Sequence, residues 1–289
     1  MPKVVQQNPT DFEKPEFQAA LNDFSRLFLA EGDSWFSFGS GKLHNLLTPL
    51  VLPQPSCVLN IAAPGDTLRR MHETTRNPEF FRYLQNRGGR RWDAIFLSGG
   101  GNDLIDALWN ADLQMSNILV KPADPQQVDA SNLESVIDES ALDALFDFIR
   151  VNVTQIVTEG RDGTGSNSRG VPLLMHTYAP MQPRNAPAVF LGQRHGPWVQ
   201  PACEFLGIDE SLWFDLSKIL TRRLADCLLS LNLPSFHVID TLELTTTIVP
   251  ADRGTTGDSN DWENEIHPNR GGYRKLAATW AAEIGRLIP

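Results

Sequence analysis

Five short apolar runs, each closed by turn residues and separated by stretches of helical period, set the fold class of this chain. They are Arg26–Glu31 (RLFLAE), Ser56–Ala62 (SCVLNIA), Trp92–Ser98 (WDAIFLS), Val171–Thr177 (VPLLMHT) and Phe236–Asp240 (FHVID). A strand covered on both faces reads as a continuous apolar run, and helical segments between such runs supply crossovers, so the pattern predicts a parallel α/β sheet. One helical stretch is expected within Asp66–Gln85, interrupted near Pro78. A second covers Ser140–Glu159, with Leu142, Leu145, Ile149, Val153 and Ile156 on its buried face. A third covers Ser211–Leu231, and its stripe is Leu212, Leu216, Ile219, Leu220, Leu224 and Leu228. The last helix is expected to begin just after His267, with Pro268 in its first turn and Leu276, Trp280, Ile284 and Leu287 facing inward. Asp112–Glu134 and Ala179–Pro201 resist regular assignment. The second, rich in Pro and Gly, is expected to be a loop on the substrate side.

A chain of 289 residues is long enough to bury most of its apolar surface as one domain, expected over 1–289 with an N-terminal arm at 1–24. A net charge of −10 argues against nucleic acid as a partner, because phosphate-backbone binding needs clustered Lys and Arg. The best basic cluster, Arg87–Arg91, reads instead as a polar turn before a strand. No run approaches the roughly 20 apolar residues of a transmembrane segment. The opening MPKVVQQNPTDFEKPEF carries no apolar signal core, so cytoplasm is the default address, with leaderless export left open. Cys57, Cys203 and Cys227 are too widely spaced for a zinc site or a disulfide framework.

The first three strands are each followed by a word with chemical content: EGDSWF at 31–36, APGDT at 63–67 and GGGNDL at 99–104. A fourth, NEIHPN at 264–269, precedes the last helix. Open α/β sheets gather ligands at the carboxyl ends of their strands, so these words converge on one edge. Ser34 offers a hydroxyl that becomes a nucleophile once a base takes its proton. Asn102 offers an uncharged amide donor for a developing oxyanion, and Gly65 a backbone N–H for the same oxygen. His267 is the natural base, since imidazole titrates near neutrality. Each has an ordinary alternative: a helix cap for Ser34 and His267, a simple turn for Gly65 and Asn102. Of the other histidines, His176 at a strand end is the best placed for substrate contact.

These four words, in this order, resemble the sequence blocks of the SGNH (GDSL-like) hydrolases, from Glu31 to the final helix. The resemblance implies a three-layer α/β/α sandwich, flavodoxin-like, around a central five-stranded parallel sheet. It further implies Ser34 as nucleophile, the N–H groups of Ser34 and Gly65 with Asn102 as oxyanion hole, and His267 as base. Two departures stand out. Trp35 replaces the family's leucine, a change expected to alter packing more than chemistry. Asn264 stands three residues before the histidine, where the family has Asp. An amide can hold the imidazole tautomer but cannot stabilise imidazolium, so the orienter of His267 stays open among Asn264, Asp261, Glu263, Glu265 and a backbone carbonyl.

The leading function is a serine esterase acting on a small-molecule, glycan or lipid ester through an acyl-enzyme, with no metal or organic cofactor. Two alternatives remain. One is a catalytically weak module that binds a glycan or acyl ligand on the same fold. The other is a metal-dependent phosphoesterase with Asp33, Asp66, Asn102, Asp103 and His267 as hard ligands. Phe190 and Trp198 in the 179–201 loop could wall a substrate pocket.

Overall fold

The computed structural model describes residues 4–37, 44–73, 77–87, 89, 91–190 and 192–288. The first three residues of the arm, two positions of the basic cluster (88 and 90) and the side chain of Phe190 lie outside the described residues.

In chain order the elements are β1 (Val5–Gln7), α1 (Pro9–Phe12), α2 (Pro15–Ala20), β2 (Arg26–Gly32), β3 (Ser56–Asn60), α3 (Leu68–His72), α4 (Pro78–Gln85), β4 (Ala94–Ser98), α5 (Gly101–Leu108) and α6 (Glu139–Gln155). They continue with β5 (Leu173–His176), β6 (Ala188–Phe190), β7 (Gln193–His195), α7 (Gln200–Leu206), α8 (Trp213–Leu229), β8 (Phe236–Ile239), α9 (Thr241–Leu244) and α10 (Arg270–Leu287). Six strands form one sheet in the order β1-β3-β2-β4-β5-β8, every neighbour parallel. The five expected strands are all present. The sixth is β1, from the arm, paired through Val5 with Cys57, so the expected count of five is one short. An edge strand of three residues, two of them glutamine, carries no apolar run by which to find it.

Right-handed crossovers decide which helices lie on which face. The steps β3 to β4, β4 to β5 and β5 to β8 all move one way along the sheet and carry α3, α6 and α8 over one face. The step β2 to β3 moves the other way and sends the intervening segment over the opposite face. There α10 joins it: the Trp280 ring meets Phe36 and Phe96 edge-on, with centroids 5.3 and 5.1 Å apart.

Several element ends differ from expectation for local reasons. Pro78 does not interrupt a helix but starts one, at the first position of α4 after the Asn77 cap. The final helix begins at Arg270 rather than Pro268, because the Asn269 side chain accepts from the N–H groups of Gly271 and Gly272 and so fixes the cap there. Within Ala179–Pro201, β6 and β7 form an antiparallel hairpin.

Candidate active site

The chain reverses direction across the sheet at β2, with β3 on one side and β4 on the other. That is the switch point at which open α/β sheets bind ligands. Gly32 ends β2 opposite Ser98 of β4. A Cβ on Gly32 would stand 2.6 Å from the Ser98 Cβ, so only glycine lets the two strand ends close up here. Immediately beyond, Asp33 organises the turn: its carboxylate accepts from the Trp35 N–H at 2.9 Å, and its carbonyl accepts from the N–H groups of Phe36 and Ser37. Ser34 is held at the crest of that turn, half-buried.

His267 arrives from the loop before α10. Its Nε2 lies 2.7 Å from Ser34 Oγ, and its Nδ1 lies 2.9 Å from Asn264 Oδ1. The same Oδ1 accepts from the backbone N–H groups of Ile266 at 3.1 Å and His267 at 3.0 Å. Those two donors fix the amide orientation, since a flip would turn its NH2 against two N–H groups. With Oδ1 facing the ring, Nδ1 must carry the proton and Nε2 must be the lone pair that faces Ser34. Of the four side chains considered for orienting His267, Asn264 is the one at Nδ1. Asp261 instead accepts from Val249 N–H and Lys275 Nζ. Glu263 gives its N–H to the His267 carbonyl at 2.9 Å. The Glu265 carboxylate takes the N–H groups of Trp198, Val199, Gln200 and Arg184. Burial without a charged partner pushes the His267 imidazole down to about 4.

Three further residues hold the histidine loop in place: Trp35 and Glu265, which the sequence reading named in other roles, and Arg184, which it left out. Trp35 is more than packing: its Nε1–H donates to the Ile266 carbonyl at 3.2 Å, tying the nucleophile turn to the histidine loop. Arg184, fully buried, donates to the carbonyls of Asn264 at 2.9 Å and Thr255 at 3.0 Å. Glu265 fastens 198–200 so that the Trp198 ring stands edge-on to the His267 imidazole, centroids 5.7 Å apart. The role of each carries no local sequence signal, because each acts on a segment distant in the chain.

Asn102 lies in the first turn of α5 and shares a slot with Ser34. One hydrogen of its amide goes to the Asp66 carbonyl at 3.0 Å, leaving a second to point elsewhere. Gly65 sits exposed in a left-handed turn, φ 78°, that a side chain would strain.

His176 does not face substrate. It is fully buried, stacked on Trp35, with Nδ1 on the Thr177 carbonyl at 2.9 Å and Nε2 on Ser98 Oγ at 2.9 Å. Ser98 Oγ is also 2.8 Å from Asp33, whose other oxygen takes the Tyr178 hydroxyl at 2.5 Å. The protons can be counted. A carbonyl can only accept, so His176 Nδ1 carries hydrogen, and the single Ser98 hydrogen cannot serve both His176 Nε2 and Asp33. Ser98 gives that hydrogen to Asp33, so the carboxylate is held by the Ser98 and Tyr178 hydroxyls and the Trp35 N–H. Burial lifts the Asp33 carboxyl to about 6, which leaves it ionised at neutral pH, and lowers the His176 imidazole to about 4, which leaves it neutral.

Two of the hard ligands of the phosphoesterase alternative are engaged elsewhere, Asp33 as described and Asp103 with the Leu68 N–H at 3.0 Å. Among the described residues no group of three or more His, Cys, Asp or Glu is placed to hold a metal ion. No helix among them is long and apolar enough to cross a membrane.

No family model matches the chain, and no curated protein matches it. Solved structures with a similar path include the lipase Lip_vut3 from a goat rumen metagenome, at 15% identity and TM-score 0.49 over 89% of this chain and 97% of that one. Others are the lipase/acylhydrolase of Enterococcus faecalis, at 15% identity and TM-score 0.38 over 90% and 96%, and an extracellular lipase of Streptomyces rimosus, at 13% identity and TM-score 0.39 over 88% and 99%.

Proposed function

We propose that the protein is a serine ester hydrolase of the SGNH (GDSL-like) kind, working through an acyl-enzyme on Ser34. The observation that carries this reading is the Ser34 Oγ–His267 Nε2 contact of 2.7 Å, with the imidazole held in the accepting tautomer by a pinned amide. Ser34 gives its proton to Nε2 as Oγ attacks the ester carbonyl carbon. The carbonyl oxygen takes up negative charge against the second Asn102 hydrogen and the N–H groups of Ser34 and Gly65. His267 then returns the proton to the leaving oxygen, and water repeats the sequence on the acyl-enzyme.

A fluorophosphonate probe tests the reading directly. Stoichiometric labelling on the peptide that contains Ser34, lost in Ser34→Ala and insensitive to chelator, is the expected result. Absence of labelling in protein that still binds an acyl or glycan ligand would move the assignment to the binding module.

The base works only as neutral imidazole, so activity is retained above the folded-state pKa of His267 and lost as pH falls through it. With that group near 4 rather than its ordinary 6.5, the acid limb of kcat/KM is expected well below pH 6. A limb centred on 6.5 would contradict the dry, neutral setting described for His267.

A further inference from the structure

The slot beside Ser34 is narrow and is walled mainly by Leu104, Ile105 and Leu108 of α5 and Leu220 and Leu224 of α8. Asn102 lines it; His267 does not. The slot opens at Ser34 and Asn102 and is also touched by Val199 and Ile266, and we read it as the acyl side of the scissile bond, with the leaving oxygen toward the His267 imidazole that protonates it. Among the described residues, Asp33 is the one charged side chain on its wall, and that carboxylate is engaged with Tyr178, Ser98 and the Trp35 N–H. An uncharged, largely aliphatic acyl chain fits such a wall.

One wall residue does not match an alkyl chain. Ser217 of α8 is 4% exposed, and its hydroxyl is buried with no hydrogen-bond partner. A mid-helix serine ordinarily returns its hydroxyl to the preceding turn. The adjacent Thr221 does this, giving its hydroxyl to the Ser217 carbonyl at 2.5 Å, and Ser217 does not. Leu224, also on the slot wall, has a methyl 3.4 Å from where a Cβ on Gly100 would stand, two residues before Asn102. Ser217 is two helical turns away on the same face, about 10 Å along the axis, the reach of an acyl chain of about eight carbons.

We propose that this slot is an acyl subsite in which Ser217 selects a medium-length acyl chain bearing a hydroxyl or oxo group near its far end over a plain alkyl chain. The selection rests on the ester-hydrolase reading above. A buried hydroxyl left without a partner disfavours the alkyl chain, and an oxygen brought by the substrate completes it.

The test compares kcat/KM for p-nitrophenyl octanoate with its 6-, 7- and 8-hydroxy counterparts, in the native protein and in Ser217→Ala. The ratio between two esters in one preparation is independent of the active fraction. At least one hydroxylated ester is expected to be preferred by about three- to tenfold, the worth of one neutral hydrogen bond, and Ser217→Ala is expected to erase or invert that ratio. The inference is overturned if no hydroxylated chain is preferred, if the preference survives Ser217→Ala, or if Ser34 takes the fluorophosphonate while none of these octanoyl esters turns over. Failure of the underlying reading is distinct: Ser34 would then not label at all.

Discussion

Ser34→Ala and His267→Ala are each expected to lower ester turnover by about 10⁴- to 10⁶-fold, and the double variant no further, because a nucleophile and its base act as one unit. The geometry makes both variants interpretable. Removing the Ser34 hydroxyl deletes one oxygen from a turn whose shape is set by Asp33 and backbone N–H groups. Removing the His267 ring leaves the loop pinned by Asn264 Oδ1 on the N–H groups of 266 and 267, and by Arg184 on the Asn264 carbonyl. Denaturation midpoints measured beside kcat/KM on p-nitrophenyl acetate separate lost chemistry from lost fold. Losses that add in the double variant would mean the two side chains act independently, which a 2.7 Å proton path does not allow.

The sheet was legible because its inner strands are continuous apolar runs, and the same logic hid β1. Val5–Gln7 gains its place from pairing with β3 and not from its own composition. Ser34, His267 and Asn102 could be named because each sits in a short word beside an element end, where local chemistry and backbone position are read together. Asn264 could be flagged but not resolved. What decides its role is the pair of backbone N–H groups two and three residues on, and these depend on the conformation of the loop. Arg184, and the parts that Glu265 and Trp35 play, were beyond reach for a different reason: each bonds a backbone group far away in sequence, and such contacts leave no spacing to detect. His176 shows the converse error. A histidine at a strand's carboxyl end looks poised for substrate, yet the aromatic rings of Trp35, Tyr178 and Trp280 surround it and its nitrogens are spent inside the core.

Asn264→Ala is expected to lower kcat/KM by about 10²- to 10⁴-fold, the range set by losing the group that fixes a catalytic imidazole tautomer. It also leaves the Ile266 and His267 N–H groups buried and unpaired, a destabilisation of about 1–3 kcal/mol for each, readable as a lower urea midpoint. Asn264→Asp separates orientation from charge. In serine proteases the reverse change is damaging because the amide presents its NH2 to the ring and imposes the wrong tautomer. Here the amide oxygen already faces Nδ1, so most of the benefit of a carboxylate is in hand, and Asn264→Asp is expected to change kcat at pH 8 by less than about tenfold. What the carboxylate adds is attraction for imidazolium, which raises the His267 pKa. The acid limb therefore moves to higher pH, and the variant loses activity at pH 5 where the native protein keeps it. The new charge is poorly received, since the second carboxylate oxygen would occupy the place of Asn264 Nδ2, which is buried without a partner; lower stability should accompany the shift. A gain of 10³ or more in Asn264→Asp would show that the native amide does not hold the productive tautomer. An unchanged rate in Asn264→Ala would show that a different group orients His267.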